Sequence, residues 1–252
     1  MGIIKIKTGK LLKSIETATD TIEVRENKRY RWMCFDKDVI QTLINRKEPH
    51  DLTLGHISIL MYVFNFFKAP KKILMMGLGG GALIHAIKHQ YPNVHTTSVE
   101  ISEAVIQLAK EFFYLSDNSE HYDIIHADIN EYITRSKSKF DITFIDMYAQ
   151  GKMPKFYFQK KFHTAMKQKL KVSGVAVYNL LCDSADNFES IVKLIREVFH
   201  SQTLCIPVDN YHNVILFAFN SDRYKEKIYS LEKQRKLINL TYDIELGLIS
   251  NH

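Results

Sequence analysis

The stretch ILMMGLGGGALIHAI, residues 73–87, decides the fold. Four apolar residues run into a glycine-rich turn, and the turn runs into a stretch whose apolar residues recur at helical spacing. That is a buried strand feeding a helix through a tight loop. Gly77, Gly79 and Gly81 suit the turn for two reasons: without a Cβ the backbone bends sharply, and a ligand can lie directly against peptide N–H groups. The same trio, with Ala82 in the last place, also satisfies the dinucleotide pattern G-x-G-x-x-G/A. A nicotinamide or flavin nucleotide and an S-adenosyl sulfonium compound both remain open at this point.

Outward from the loop, strand and helix alternate. The strand Lys72 to Met76 and the helix Ala82 to Gln90 are followed by a strand at Thr96 to Glu100, a helix at Glu103 to Phe113, a short strand at Asp123 to Ile125 and a polar helix from Asn130. Next come the apolar strand Phe140 to Ile145, a helix at Gln159 to Leu170, and, past Ser173-Gly174, the strand Val175 to Asn179. The helix Asn187 to Phe199 precedes strands at Thr203 to Pro207 and Asn213 to Phe219. Strands separated by single helices predict a parallel sheet covered on both faces. Upstream, the alternating runs IIKIKT, TIEVREN and RYRWMCFD predict a few antiparallel strands, so the chain divides into an N-terminal β domain over 1–48 and a larger domain over 49–252. The apolar window Ile57 to Phe67 is expected as a buried helix.

The acids at the next three strand ends narrow the ligand. Glu100 lies roughly 20 residues past the glycine loop, where a carboxylate can accept both hydrogen bonds of a ribose diol. Dinucleotide and sulfonium enzymes share that device, and a Glu there can also simply favour the dipole of the next helix. Asp128, in HADINEYI, follows the third strand, where it can accept from the exocyclic amine of adenine or instead cap the helix through Tyr132. Asp146, in FDITFIDMY, follows the fourth, at the mouth of the pocket, or else bonds loop backbone. Acids at three successive strand ends tilt the choice toward an adenosyl sulfonium. The predicted class is α/β, a Rossmann-like S-adenosylmethionine-dependent methyltransferase fold with a small N-terminal antiparallel β domain.

From about Ile22 to Phe219 these residues resemble the spermidine synthase family of polyamine aminopropyltransferases. The similar stretches are TIEVRENKRYRWMCFDKDVIQ, the glycine loop, SVEIS, HADINEYI, and FDITFIDMY with Pro154 downstream. The resemblance implies a transferase of polyamine biosynthesis, usually a homodimer, with decarboxylated S-adenosylmethionine as aminopropyl donor. It also implies that Gln41 contacts the nucleoside, Glu100 the ribose, Asp128 the adenine and Asp146 the attacking amine. An amine that is protonated in water must lose its proton before its lone pair attacks the carbon beside the sulfonium, and Asp146 with Tyr148 offers a carboxylate and a hydroxyl for that step.

The chain also departs from the family. An Asp that pairs with the amino group of the donor's arm is replaced by Gly80, a second Asp in the fourth-strand loop by Ala149, and a tyrosine before the first core helix by Leu54. With Gly80, repulsion of a carboxylate is absent and backbone N–H groups are expected to receive it, so the co-substrate is either S-adenosylmethionine or its decarboxylated form. Ala149 removes a partner for a dication. Three functions follow: aminopropyl transfer to an amine, methyl transfer from S-adenosylmethionine to an acceptor not named by the residues, and a nucleoside-binding relative without chemistry.

Composition excludes other classes. The net charge is +6 over 252 residues, but Lys and Arg are scattered, and the densest run, Tyr224 to Lys236, interleaves Glu, as a solvated helix face does. No nucleic-acid partner is expected. Cys34, Cys182 and Cys205 form no C-x-x-C pair and are expected to stay reduced. The first residues lack a signal-peptide core, the myristoylation pattern fails at Ile6, and Ile57 to Phe67 is too short to span a bilayer, so a cytoplasmic protein off the membrane is expected. His85 and His89 stand one helical turn apart without the Glu of H-E-x-x-H, and no metal is expected. His56 falls close to a family position that lines the active site.

Overall fold

Every residue of the strand Phe140–Ile145 is buried, those pointing to either face alike. A strand covered on both sides belongs in the middle of a sheet, and its neighbours follow from there. The computed structural model describes residues 9–18, 20–36, 39–67, 69–148, 153–209 and 212–230. The expected strand IIKIKT, the replaced acid position Ala149 and the end of the basic run past Ser230 lie outside them.

The N-terminal sheet holds β1 (Lys10–Glu16), β2 (Thr21–Glu26), β3 (Tyr30–Phe35) and β4 (Val39–Asn45), paired antiparallel in that order. A short helix, α1 (Gly55–Leu60), leads to the main domain. There β5 (Lys72–Met76), α2 (Ala82–Gln90), β6 (His95–Glu100), α3 (Glu103–Phe112), β7 (Tyr122–His126), α4 (Ile129–Arg135) and β8 (Phe140–Ile145) alternate as expected. They are followed by α5 (Lys160–Lys169), β9 (Leu170–Leu180), α6 (Ala185–Val198), β10 (Thr203–Pro207) and β11 (Val214–Phe219). The seven strands lie in the order β10-β11-β9-β8-β5-β6-β7.

Strands β5 to β9 are parallel, and β11 runs antiparallel to both β9 and β10. The expected all-parallel sheet therefore stops at β9. The six residues between β10 and β11 are too few for a crossover, and a hairpin is the only connection they allow. Side chains alternate along each strand: Ile73, Met75, Phe144 and Val177 pack with Leu60 and Ile84, while Leu74, Met76, Ile145 and Tyr178 pack with Met166 and Ile191 on the other face. The N-terminal sheet sets Ile22, Val24 and Met33 against Val105 and Leu108 of α3.

Two segments differ from the sequence expectation. The apolar window breaks after Leu60 into a 3-10 turn at Met61–Asn65, which stacks Phe64 on Tyr91 and places Phe66 among Phe219 and Tyr224. Strand β9 begins at Leu170 and passes through Ser173-Gly174, where its register on β8 shifts. A Cβ on Gly174 would stand 3.1 Å from the Phe140 carbonyl, so glycine lets the irregular strand stay paired. Among the described residues no helix is long and apolar enough to cross a membrane.

The start of β8 is tied to its neighbours by one carboxylate. Buried Asp141 accepts from the N–H groups of Lys71 and Lys72 at 2.8 and 2.9 Å and from Lys171 Nζ at 2.8 Å. Burial pushes its pKa up, but the Lys171 ammonium and the two N–H groups outweigh that and hold it below the usual value. A carboxyl depressed on folding contributes stability above its unfolded pKa, and that contribution is lost as pH falls through the folded one. Asp141→Asn is expected to cost about 2 kcal/mol at neutral pH and to weaken the loss of stability on acidification, read by denaturant melts at neutral and acid pH.

Candidate active site

Strand β5 lies between β6 and β8, so the loops that leave β5 and β8 diverge and open a crevice at the carboxyl edge of the sheet. A cavity of about 570 Å³ fills it, a size suited to a nucleoside-sized ligand. The N-terminal sheet supplies part of its wall, through Asp20, Gln41 and Thr42.

The glycines shape this crevice in different ways. Gly77, Gly79 and Gly81 all have positive φ, at 95°, 53° and 74°. A Cβ on Gly77 would stand 2.5 Å from the Asp146 carbonyl oxygen, and one on Gly79 would stand 2.6 Å from Thr42 Oγ1, so both positions exclude a side chain by contact as well as by backbone. Gly77 and Gly79 line the cavity. Gly81 instead packs toward Leu115 and forms the N-cap of α2, where no side chain caps the helix and Ala82 and Leu83 face the cavity.

All three strand-end acids reach the cavity. Glu100 accepts from the N–H of Leu78 at 3.0 Å and of Ser102 at 2.9 Å, one on each oxygen, which leaves each oxygen a second lone pair. Burial raises its pKa, and the backbone N–H groups of Ser102, Leu78 and Ile101 oppose the rise. Asp128 is the N-cap of α4: Oδ1 accepts from Asn130 N–H at 2.7 Å and Glu131 N–H at 3.4 Å, which leaves Oδ2 for the cavity. Capping, one of the two alternatives in the sequence, uses one oxygen of the side chain and leaves the other for the cavity that Asp128 lines.

Asp146 is half-buried beside Met147 and Tyr148, which also line the cavity. Its Oδ1 accepts from Asn179 Nδ2 at 2.8 Å. Burial raises its pKa, opposed by the charge of His56 and the Asn179 bond. His56, on α1, is driven toward the neutral form by burial and back toward the charged form by Asp146. Tyr157 is fully buried nearby; burial and then the Asp146 charge raise its pKa well above the usual value. Sequence patterns did not single out Tyr157, Asn179 or Asp20, because none of them sits in a recognisable local motif.

The lining residues carry four carboxylates, Asp20, Glu100, Asp128 and Asp146, and no lysine, arginine or histidine among the described residues. In a chain of net charge +6 this is a segregated, electronegative cavity. A pyrophosphate is repelled from such a site and a cation is drawn in. Among the described residues no group of His, Cys, Asp and Glu is arranged to hold a metal ion; His85 bonds the Phe113 carbonyl and His89 stacks on His50.

The sequence model of the spermine/spermidine synthase domain matches residues 53–228. The chain belongs to that family. A polyamine aminopropyltransferase of Neisseria meningitidis is 25% identical over 236 residues, covering 93% of this chain and 89% of the relative. The eEF1A lysine and N-terminal methyltransferase of Xenopus laevis is 26% identical over 84% of this chain, which spans only 34% of that relative. The crystal structure of a probable spermidine synthase from Corynebacterium glutamicum superposes with a TM-score of 0.71 at 18% identity, covering 82% of this chain and 80% of that one.

The family departures have a structural setting. Gly80 does not line the cavity: a Cβ there would meet Phe113 Cδ1 and Thr42 Cγ2, both at 2.7 Å, and its N–H already donates to Thr42 Oγ1 at 2.7 Å. The N–H of Gly80 is therefore not one of the backbone groups open to a donor carboxylate, because it has another acceptor. The N–H groups of Gly77, Leu78 and Gly81 are likewise engaged, by Val99 O, Glu100 and Leu78 O, which leaves Gly79 and the first turn of α2 for a ligand. Leu54 is the buried N-cap of α1 and lines the cavity. Restoring the family acid as Gly80→Asp is expected to destabilise the protein by about 1–3 kcal/mol through overpacking, with no gain in affinity for the decarboxylated donor; melts and calorimetry check both.

Proposed function

We propose that the chain is a transferase that moves the aminopropyl group of decarboxylated S-adenosylmethionine to the nitrogen of a small amine, in the manner of its polyamine aminopropyltransferase relatives. The observation that carries this reading is the cavity wall, with four carboxylates and no cationic side chain among the described residues. Both reactants are cations, a sulfonium and an ammonium, and such a wall favours them over a nicotinamide or flavin dinucleotide. In this reading Gln41, Gly77 and Gly79 border the donor, Glu100 accepts from the ribose diol and Asp128 Oδ2 from the adenine amine.

Asp146 holds the amine. The ammonium gives a proton to the carboxylate, the freed lone pair forms a bond to the methylene beside sulfur, and the carbon–sulfur bond breaks with its electron pair going to sulfur. Methylthioadenosine leaves as a neutral thioether, the product remains a secondary ammonium, and Asp146 passes the proton it took to solvent. The raised pKa of Asp146 suits a base that must take a proton near neutrality, and the two bound cations favour its anionic form before transfer. Tyr148 lines the same end, its own pKa raised by burial and by Asp183, so its hydroxyl stays protonated and can orient the amine.

A second reading, methyl transfer from S-adenosylmethionine to an amine, is favoured by one observation. The tail end of the cavity meets the Gly79 N–H and the uncapped start of α2 where a carboxylate can be received. The methyltransferase relative from Xenopus supports it.

Calorimetric titration with S-adenosylmethionine, its decarboxylated form and methylthioadenosine, followed by assays with putrescine and longer amines, separates the two. Preference for the carboxylated donor with no aminopropylated product sinks the first reading, and failure of all three nucleosides to bind sinks both. Asp146→Asn is expected to cut turnover by about 10²-fold or more with methylthioadenosine affinity nearly unchanged. For Asp128, Asn keeps a capping oxygen but turns a donor on the adenine amine, so Asp128→Asn should weaken nucleoside binding with little loss of stability, whereas Asp128→Ala loses both and costs about 1 kcal/mol in melts.

A further inference from the structure

Asp146 makes one bond that leads away from the cavity. Asn179 Nδ2 donates to its Oδ1 at 2.8 Å, and Asn213 Nδ2 donates to Asn179 Oδ1, also at 2.8 Å. The direction of this row is set by chemistry. An ionised carboxylate only accepts, so Asn179 must turn its NH₂ toward Asp146 and its carbonyl toward Asn213, which must present its own NH₂ in turn. The row crosses three adjacent strand ends: Asp146 just past β8, Asn179 near the end of β9, and Asn213 just before β11. Asn213 is 8% exposed, so water does little to replace its donor.

We propose that Asn213 is a positioning residue for Asp146: by holding the Asn179 carbonyl it fixes the Asn179 N–H on Oδ1 and leaves Oδ2 to receive the amine. The proposal rests on the reading of Asp146 as the amine-binding group. Without the Asn213 donor, the half-buried Asn179 amide has lost its carbonyl partner and can turn its oxygen toward Asp146. Two acceptors then face each other, and the carboxyl takes up a proton more readily. Among the described residues, the other groups that bear on Asp146 are His56 from α1, Tyr157 from the 3-10 turn at Lys155–Phe158 and the Gly77 backbone beside it, and Tyr148 follows on its own loop. All of them remain when only Asn213 is changed.

The test is a carboxyl carbon NMR titration of the full chain, with the Asp146 signal identified by its loss in Asp146→Asn. Asn213→Leu, near in volume, is expected to raise the Asp146 midpoint by about half a pH unit or more. Asn213→Ala removes the same donor without filling the space and is expected to act in the same direction, which covers the case in which the leucine variant does not fold. An unmoved midpoint in a folded variant overturns the proposal. So does a shift that vanishes when the pair is compared in a His56→Gln background, because it then belongs to the coupled histidine.

The kinetic counterpart is the acid limb of kcat with putrescine and decarboxylated S-adenosylmethionine at saturation. It should move to higher pH by the same amount, so that activity on the limb falls about threefold or more while the plateau holds. A uniform drop at every pH marks a purely structural role and overturns the proposal. The NMR titration needs no turnover, so failure of aminopropyl transfer counts against the proposed function without deciding this one.

Discussion

The backbone carbonyl of Asp146 stands 2.5 Å from the point a Cβ on Gly77 would occupy, and the site is organised around that approach. Glycine alone lets β5 and β8 end side by side at this spacing while the chain turns with a φ of +95°. The contact is extended by hydrogen bonds in both directions. Asp146 N–H donates to the Met76 carbonyl at 3.2 Å, Gly77 N–H to the Val99 carbonyl at 2.9 Å, and Leu78 N–H to the Glu100 carboxylate at 3.0 Å. The glycine loop, the β6 acid and the β8 acid are thus one bonded unit, and their spacing is fixed by backbone geometry before any ligand is present. Preorganisation of this kind keeps reacting groups placed without a cost at the moment of reaction.

The charge pattern runs against the composition. The chain is net basic, yet among the described residues the cavity wall carries carboxylates and no lysine, arginine or histidine. Burial raises the pKa of Glu100 and of Asp146, which means that each carboxylate is held against its own desolvation. A bound cation offsets that cost. The same acids also serve the fold: Asp128 caps α4 and Glu100 ties the glycine loop, each with part of its acceptor capacity.

What could be read from the sequence, and what could not, divides along a physical line. In an alternating α/β chain every parallel strand ends at the same edge, so Glu100, Asp128 and Asp146 converge by topology, and their positions after three strands were enough to bring them together. Asp20 and Thr42 reach the cavity wall from a hairpin and an N-terminal strand, while Tyr157 and Asn213 stand behind it, in a 3-10 turn and just before an antiparallel strand. Nothing local marks those residues, since their roles depend on contacts far apart in the chain. Gly80 shows the same limit. The sequence shows that an acid is absent there, but not that Phe113 and Thr42 close the position. The break after Leu60 and the start of β9 at Leu170 were also hidden, because apolar periodicity marks burial better than it marks pitch or strand ends.

Thr42 limits which N–H groups of the glycine loop face the cavity. By accepting from Gly80 it removes that N–H from the cavity and leaves Gly79 and the start of α2 as local donors. One or two such bonds to a carboxylate are worth about 1.5–3 kcal/mol each. Against them stands the field of the acids: a carboxylate about 8 Å from one ionised acid is repelled by about 2 kcal/mol at an effective dielectric constant near 20. Two ionised acids at that range are enough to match the local bonds, and the wall holds four. The decarboxylated donor, with a sulfonium and an ammonium and no anionic group, gains from every one of them, whereas S-adenosylmethionine gains with its cations and loses with its carboxylate. In the proposed aminopropyl transfer the balance therefore favours the decarboxylated donor as long as the acids stay ionised, and the bonds to Asp146 and Glu100, which oppose the effect of burial, act in that direction.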